Sequence, residues 1–288
     1  MPKLFGFVQL DFAGTLSLAD GRYLERDDEE EQVLVVRTLG SLPQPHRRRR
    51  RAKGVEPEPA AALPLARATA IRAFAPFADE EAAERWLDEA TEAEETADQI
   101  VADAVALLNR ALHAQWVAAA APHSSELTPE RAVAVRIGFG AGEEVADGRF
   151  TAAREVDVWA TGASRRRRRE EGMRPQERVA AVLGGRERFD VCETLLLRAR
   201  ADLDAGRRRE AALQLRIGLE ALLAELGETQ GGEDHAEDLE TLRENRREAG
   251  EAANAALVGE LPPERLAQVE ELLAICERLL RRRRVLRG

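Results

Sequence analysis

Apolar residues at alternating spacings of three and four fill the last third of the chain, and this pattern restricts the fold more than any other feature. Because an α-helix has about 3.6 residues per turn, such spacing places the apolar side chains in one stripe along a helix. Three stretches therefore predict amphipathic helices that pack against one another. Their stripes are Phe189, Cys192, Leu196, Ala199 and Leu203; Ala212, Leu215, Leu219, Leu222 and Leu226; and Leu266, Val269, Leu273, Cys276 and Leu280.

A fourth helix is predicted over residues 236–257, and residues 175–183 predict a short fifth one. Glycine favours helix ends and proline favours the first helical turn, and both occur between the stripes. Because the connections are short, neighbouring helices should run antiparallel. We therefore expect residues 175–288 to form a mainly antiparallel helical bundle. The stripe of the fourth helix consists of Leu239, Leu242, Ala249, Ala253 and Ala256. The glycines at predicted helix ends are Gly206, Gly227 and Gly259, and the prolines at a predicted helix start are Pro262 and Pro263.

The first 160 residues predict a different architecture. Residues 1–40 are rich in Val, Leu and Phe, and the Asp20-Gly21 pair is a hairpin signal, so they predict a three-stranded β-meander. So short a segment makes a poor core alone, and we expect it to pack against the mixed segment 65–160 or to gain strands from it. The fold class is therefore α+β. In the mixed segment we predict strands at 66–74, 132–139 and 155–160, a helix capped by Asp79, and a longer helix at 96–120.

Two segments are predicted to be linkers. Residues 41–64 and 161–174 combine arginine runs with few bulky apolar side chains, so neither can bury a core face. The predicted organisation is an α+β domain over 1–160, the second linker, and a helical bundle domain over 175–288.

Three arginine runs are candidate contacts for phosphate groups or for an acidic partner. The alternative is that they are solvated segments. Lys3 and Lys53 are the only lysines among 43 basic residues, so codon bias in a GC-rich and therefore bacterial genome explains the many arginines. The net charge of −10 is a second observation in favour of solvated segments. Arg281–Arg284 also lies near a predicted helix end, where cations are stabilising. The candidate contacts are Arg47, Arg48, Arg49, Arg50, Arg51, Arg165, Arg166, Arg167, Arg168 and Arg169.

The alternating glycines at Gly138, Gly140 and Gly142 do not form a nucleotide-binding loop. A dinucleotide fingerprint needs a third glycine where Glu143 or Val145 stands, and a Walker loop needs a lysine that is missing here. We interpret the stretch as a strand that ends in a flexible turn, followed by a second turn at 146–149.

Cofactor and metal sites are not predicted. The four histidines, His46, His113, His123 and His235, lack the spacing of metal-binding motifs, and both cysteines fall on the predicted core stripes, where thiols are inert. A secretory signal is not apparent, and no run approaches the roughly 20 apolar residues of a membrane span, so we expect a soluble cytoplasmic protein without membrane contact.

Residues 195–226 resemble the helix pair of HEPN-type bundles and of helical-repeat hairpins. HEPN nucleases place a histidine four to six residues after an arginine. Residues 236–257 contain arginines but no histidine, so the resemblance does not imply RNA cleavage here.

Three functions are compatible with these observations. The first is a non-enzymatic protein-interaction or scaffold protein, which binds a protein partner or itself. The second is a nucleic-acid-associated regulator that uses the arginine-rich linkers. The third is an enzyme with a site in residues 65–160, near Arg136, Glu143 and Glu144; a closed pocket that joins these residues to His113 would favour it.

Overall fold

The computed structural model describes residues 2–27, 30–40, 64–120, 126–157, 176–226 and 233–287. The chain divides into two compact units, Met1–Arg165 and Arg166–Gly288, of which the first contains the sheet and the second is helical. The α+β class is therefore confirmed. Among the described helices, none is both long and apolar enough to cross a membrane.

A six-stranded antiparallel sheet forms the first unit, with strand order β2-β3-β4-β1-β5-β6. The predicted three-stranded meander is wrong, because β4 lies between β3 and β1. The expected gain of strands from the mixed segment is confirmed, since that segment supplies three of the six. The strands are β1 (Leu4–Ala13), β2 (Gly21–Asp27), β3 (Glu30–Leu39), β4 (Leu65–Ile71), β5 (Ala132–Ala141) and β6 (Ala152–Glu155).

Two helices, α1 (Glu80–Glu92) and α2 (Glu94–Ala118), cover one face of this sheet, which we call the inner face. Alternate strand residues such as Val8, Leu10 and Ile137 point into the resulting core. The predicted cap is confirmed, because the side chain of Asp79 accepts a hydrogen bond from the backbone amide of Ala82 at 2.8 Å. The last predicted strand is displaced: β6 ends at Glu155, and residues 158–160 lie outside the described ranges.

The opposite, outer face of the sheet carries a single short helical turn, α3 (Gly142–Ala146), in the described part of the chain. The predicted strand at 132–139, which contains Gly138, is confirmed, but the turn begins later than predicted, because β5 continues through Gly140 to Ala141. A methyl group on Gly138 would stand 2.4 Å from the carbonyl oxygen of Ala152, so this glycine lets β6 approach closely. The second predicted turn is confirmed, and Gly148 in it has a φ of +77°.

The second unit is a helical bundle with one continuous apolar core. The predicted stripes are largely buried, including Cys192 and Cys276, although Phe189 precedes its helix and is half exposed. The helix predicted over 236–257 is two helices, separated at Asn245. The helices are α4 (176–183), α5 (Val191–Asp204), α6 (Arg208–Leu226), α7 (Glu233–Glu244), α8 (Arg246–Val258) and α9 (Pro263–Arg287).

Candidate functional site

Polar side chains on the outer face of the sheet form the most organised charged group in the first unit. Gln9 and Asp11 alternate along β1 with the buried residues of the inner face, so strand geometry directs both outward. In the strand register Asp11 lies opposite Arg67 of β4, and Gln9 lies opposite both Thr69 of β4 and Arg136 of β5. Antiparallel pairing of distant segments therefore builds this group.

The carboxylate of Asp11 binds two arginines at once. Arg67 donates from Nε at 2.7 Å and from Nη2 at 2.9 Å, and Arg136 donates from Nη1 at 3.0 Å. The side chain of Asp11 is only 4% exposed, whereas those of Arg67 and Arg136 are 23% and 26% exposed. Asp11 thus fixes two guanidinium groups on side chains that are each about one quarter exposed.

Burial alone would raise the pKa of Asp11. The hydrogen bonds and positive charges of Arg67 and Arg136 outweigh burial, and the pKa of Asp11 lies below its ordinary value. The hydrogen bond to Asp11 likewise raises the pKa of Arg67, against the effect of its own partial burial. The carboxylate is therefore a fixed anion and a poor general base, since its oxygens already accept three N–H groups.

A third arginine extends the group toward the edge of the sheet. Arg37 of β3 lies opposite Arg67 and donates to the carboxylate of Asp147, in the turn that follows α3. The same turn brings Gly148 against Arg67, since a methyl group on Gly148 would lie 3.2 Å from Nη1 of Arg67. We call Asp11, Arg37, Arg67 and Arg136 the outer arginine cluster.

The outer arginine cluster retains donor capacity. Each arginine has five N–H groups in a planar fork that matches a carboxylate or a phosphate. Nη2 of Arg136 lies 3.7 Å from a carboxylate oxygen of Glu155, whose side chain is largely exposed. Because Asp11 is the one carboxylate within hydrogen-bond distance of both Arg67 and Arg136 among the described side chains, the arrangement suits the binding of an anionic group rather than proton transfer.

The structure does not bring His113 to the other three residues of the enzyme hypothesis. Arg136 and Glu143 do share the outer face, where Glu143 accepts from Arg22 at 3.1 Å, and Glu144 is exposed beside it. His113 lies on α2, which packs against the inner face, and its ring contacts the ring of Trp116 in a tilted arrangement with 5.1 Å between centroids. The sheet therefore separates His113 from the other three residues.

The arginine runs have different outcomes. Arg47–Arg51 and Arg165–Arg169 lie outside the described residues, so their predicted contacts stay predictions. The interpretation of Arg281–Arg284 as solvated is wrong for two members: Arg283 is buried and pairs with Asp190 at 2.5 Å, and Arg282 pairs with Asp238 at 2.7 Å. Both arginines therefore serve the packing of the bundle.

The two cysteines are buried thiols. Burial raises the pKa of Cys276 to about 12, and burial together with a hydrogen bond to the Glu225 carboxylate raises that of Cys192 well above its ordinary value. Neither is a nucleophile at neutral pH, since the thiolate is the reactive form. Across the described residues, no three metal-binding side chains come together as a site.

Sequence reasoning missed the outer arginine cluster. A signal was present in β1, where Gln9 and Asp11 interrupt a run of apolar residues at every second position. That alternation marks an outward polar face. The partners Arg67 and Arg136 follow only from the strand order, because they lie 56 and 125 residues away from Asp11.

Comparison of the chain with models of known protein families, with curated proteins and with solved structures found no match.

Proposed function

We propose that this chain is a non-enzymatic protein-interaction protein whose first unit holds a carboxylate group of an acidic partner on Arg67 and Arg136. The observation that carries the proposal is the position of the buried Asp11, which fixes both guanidinium groups and leaves their outer sides partly exposed. Fixed donors lose little conformational entropy on binding, so they hold an anion more tightly than mobile surface arginines do.

An acidic protein segment suits this surface better than a nucleic acid. Asp147, Glu143 and Glu155 stand among the arginines of the outer face, and they would repel a continuous row of phosphates. A single carboxylate fits between them, and the net charge of −10 also disfavours a polyanion. We propose the cytoplasm as the place of action, which the two unpaired and buried cysteines support.

The test uses the full chain and a fluorescent peptide with one glutamate among neutral residues, at low salt. The substitution Arg136→Gln should weaken binding of the peptide about tenfold, because it removes charge-assisted hydrogen bonds. Arg154→Gln is the matched control: it removes the same charge from neighbouring β6, but Arg154 bonds to Thr91 and Asp88 of α1 on the inner side. Binding to the control should equal binding to the unmodified protein.

Two results would contradict the proposal. One is equal binding of the peptide to both variants, which would move the contact to other arginines of the chain. The other is tighter binding of a thymine oligonucleotide than of the peptide, with the same loss in Arg136→Gln, which would favour the nucleic-acid function. Circular dichroism of each variant checks that the fold is intact.

A further inference from the structure

A second carboxylate, from the turn that follows α3, also contacts the outer arginine cluster. Asp147 accepts a hydrogen bond from Nη2 of Arg37 through Oδ1 at 2.5 Å, and its Oδ2 lies 3.9 Å from Nη2 of Arg149. Arg37 lies opposite Arg67 in the strand register, and Gly148 lies against Arg67. The turn therefore places an anion beside the arginines to which we assign the partner's carboxylate.

The two carboxylates of this face differ in how readily each can leave its arginine. The side chain of Asp11 is 4% exposed and accepts hydrogen bonds from Arg67 and Arg136, so separation would leave a charge in a poorly solvated place. The side chains of Asp147 and Arg37 are 42% and 43% exposed. So exposed an ion pair contributes little stability, because water solvates both groups when they separate. Asp147 is therefore the exchangeable anion of the outer face, and Asp11 is the fixed one.

The backbone of the turn is held independently of this ion pair. The amide of Asp147 donates to the carbonyl oxygen of Glu143 at 3.1 Å, and that of Gly148 donates to the carbonyl oxygen of Val145 at 2.9 Å. Val145 is itself buried in the apolar group of the outer face. Release of Arg37 thus needs only a rotation of the Asp147 side chain, while the turn stays in place.

We propose that Asp147 is an internal competitor for the outer arginine cluster: it pairs with Arg37 in the free protein and gives this arginine up to the carboxylate that binds at Arg67. The inference rests on the proposed function, because it concerns the same partner and the same face. Residues opposite each other on antiparallel strands have Cα atoms about 4.5–5.5 Å apart, so two such guanidinium groups can reach one carboxylate. The internal acid lowers the affinity for any carboxylate, and so it favours a partner that makes further contacts.

The substitution Asp147→Asn tests the competition. The amide keeps the shape of the side chain and removes its charge, so the peptide with one glutamate should bind about fivefold more tightly at low salt. The matched control is Asp88→Asn, which also takes a carboxylate away from an arginine, because Asp88 pairs with Arg154 on the inner side. It changes the net charge by the same amount and should leave binding of the peptide unchanged.

A double variant tests whether the gain in affinity depends on Arg37. Arg37→Gln together with Asp147→Asn removes both members of the ion pair and restores the net charge of the unmodified protein. It should bind the peptide as the unmodified protein does, since Arg67 and Arg136 are retained. A gain that persists in the double variant would overturn the proposal, because Arg37 would then not receive the peptide. An equal gain in Asp88→Asn would also overturn it, because loss of any carboxylate would then have the same effect.

These results separate the competition from the function on which it rests. If Arg136→Gln and Arg154→Gln bind the peptide equally, the proposed function fails and the competition fails with it. If Arg136→Gln loses affinity as expected but Asp147→Asn gains none, only the competition is wrong. A peptide that binds neither the unmodified protein nor Asp147→Asn contradicts both. Binding to Asp147→Asn that the double variant loses supports the competition even where the unmodified protein binds too weakly to measure.

Discussion

The sheet unit and the bundle both bury charged groups, but they balance them differently. In the sheet unit one buried carboxylate, Asp11, holds two arginines. In the bundle Arg283 pairs with Asp190, and Arg178 pairs with both Glu193 and Glu187 at 2.7 Å. Each of these buried cations of the bundle therefore has its own carboxylate at the beginning of α5, whereas in the sheet unit two guanidinium groups share the buried carboxylate of Asp11.

The position of the charges differs as well. The bundle pairs join the ends of helices, and Glu225 there accepts hydrogen bonds from the first amides of α5 at 3.0 and 3.1 Å. Such contacts satisfy helix ends that would otherwise lack partners. The pairs of the outer arginine cluster stand in the middle of strands, where the ladder already satisfies the backbone. Buried charge thus stabilises the ends of helices in the bundle, while in the sheet unit it holds arginine side chains in place at the surface.

Removing Asp11 should have the largest effect on stability, and it tests the contrast between the two units most directly. Asp11→Ala leaves two partly buried guanidinium groups without their anion, and we expect the free energy of unfolding of the sheet unit to fall by about 3–5 kcal/mol. All three tryptophans lie in this unit, so their fluorescence in urea measures it. Both cysteines lie in the bundle and are buried, so thiol labelling in urea measures that unit separately.

The control for this experiment is Glu143→Ala, which removes the ion pair between Glu143 and Arg22. The side chain of Glu143 is largely exposed. Its expected cost is about 0–1 kcal/mol. Thiol labelling should be unchanged in both variants. If Asp11→Ala costs no more than Glu143→Ala, the arginines are solvated without Asp11, and the contrast between the two units disappears.

Predictability from the sequence also separates the two units. The helix stripes depend on residues within one or two turns, so the bundle and its buried cysteines were predicted correctly. The break at Asn245 was missed, because Leu242 and Ala249 on either side of it are both buried and continue one stripe. In the sheet unit the strands themselves were largely predicted.

Strand order was not predictable, because it depends on contacts between distant segments. β4 comes between β3 and β1 although it follows β3 by some 25 residues in the chain. The outer arginine cluster depends entirely on this order, since Arg67 meets Asp11 only through the pairing of β4 with β1. The role of Gly138 has the same origin, because its constraint is the backbone of β6, which pairs with β5 only in the folded sheet.

Replacing one glycine by alanine in each unit should change stability by an intermediate amount, and the two changes show how far each unit can adjust to an added methyl group. In Gly138→Ala the new carbon would stand 2.4 Å from the backbone oxygen of Ala152 and 2.7 Å from Cβ of Ala153, so β6 must move. We expect a loss of about 1–3 kcal/mol in the tryptophan transition. In Gly218→Ala the nearest atom is Cδ2 of Leu196, at 2.9 Å, and a side chain can shift more easily than a strand.

The helix also gains about 1 kcal/mol when alanine replaces an interior glycine, so Gly218→Ala should change the stability of the bundle by less than about 1 kcal/mol in either direction. Thiol labelling in urea measures this value. A larger loss of unfolding free energy in Gly218→Ala than in Gly138→Ala would contradict this expectation, because it would mean that α5 and α6 shift less easily than β6 does.

The last expected effect is the response to pH, to which Asp11 and the thiol of Cys276 should contribute in opposite directions. The pKa of Asp11 is lowered by folding, so its contribution to stability is present above the ordinary carboxyl pKa and is lost as the pH falls through the folded value. The pKa of Cys276 is raised by burial from 9.0 to about 12, so the contribution of this protonated thiol is present below pH 9 and is lost between pH 9 and 12. The sheet unit should therefore weaken in acid and the bundle in alkali.

The alkaline loss follows from the unfolded thiol, which ionises near pH 9 while the folded one stays protonated. One pH unit above that point costs about 1.4 kcal/mol for each thiol, so the bundle should lose about that much through Cys276 between pH 8 and 10, and Cys192 should add a similar loss. Urea unfolding followed by helical ellipticity at the two pH values measures the difference. Cys276→Ala should reduce the loss by about half, and replacement of both cysteines by alanine should abolish it. An equal alkaline loss in the double variant would assign it to groups other than the thiols, and the buried cysteines would then have no part in how the bundle responds to pH.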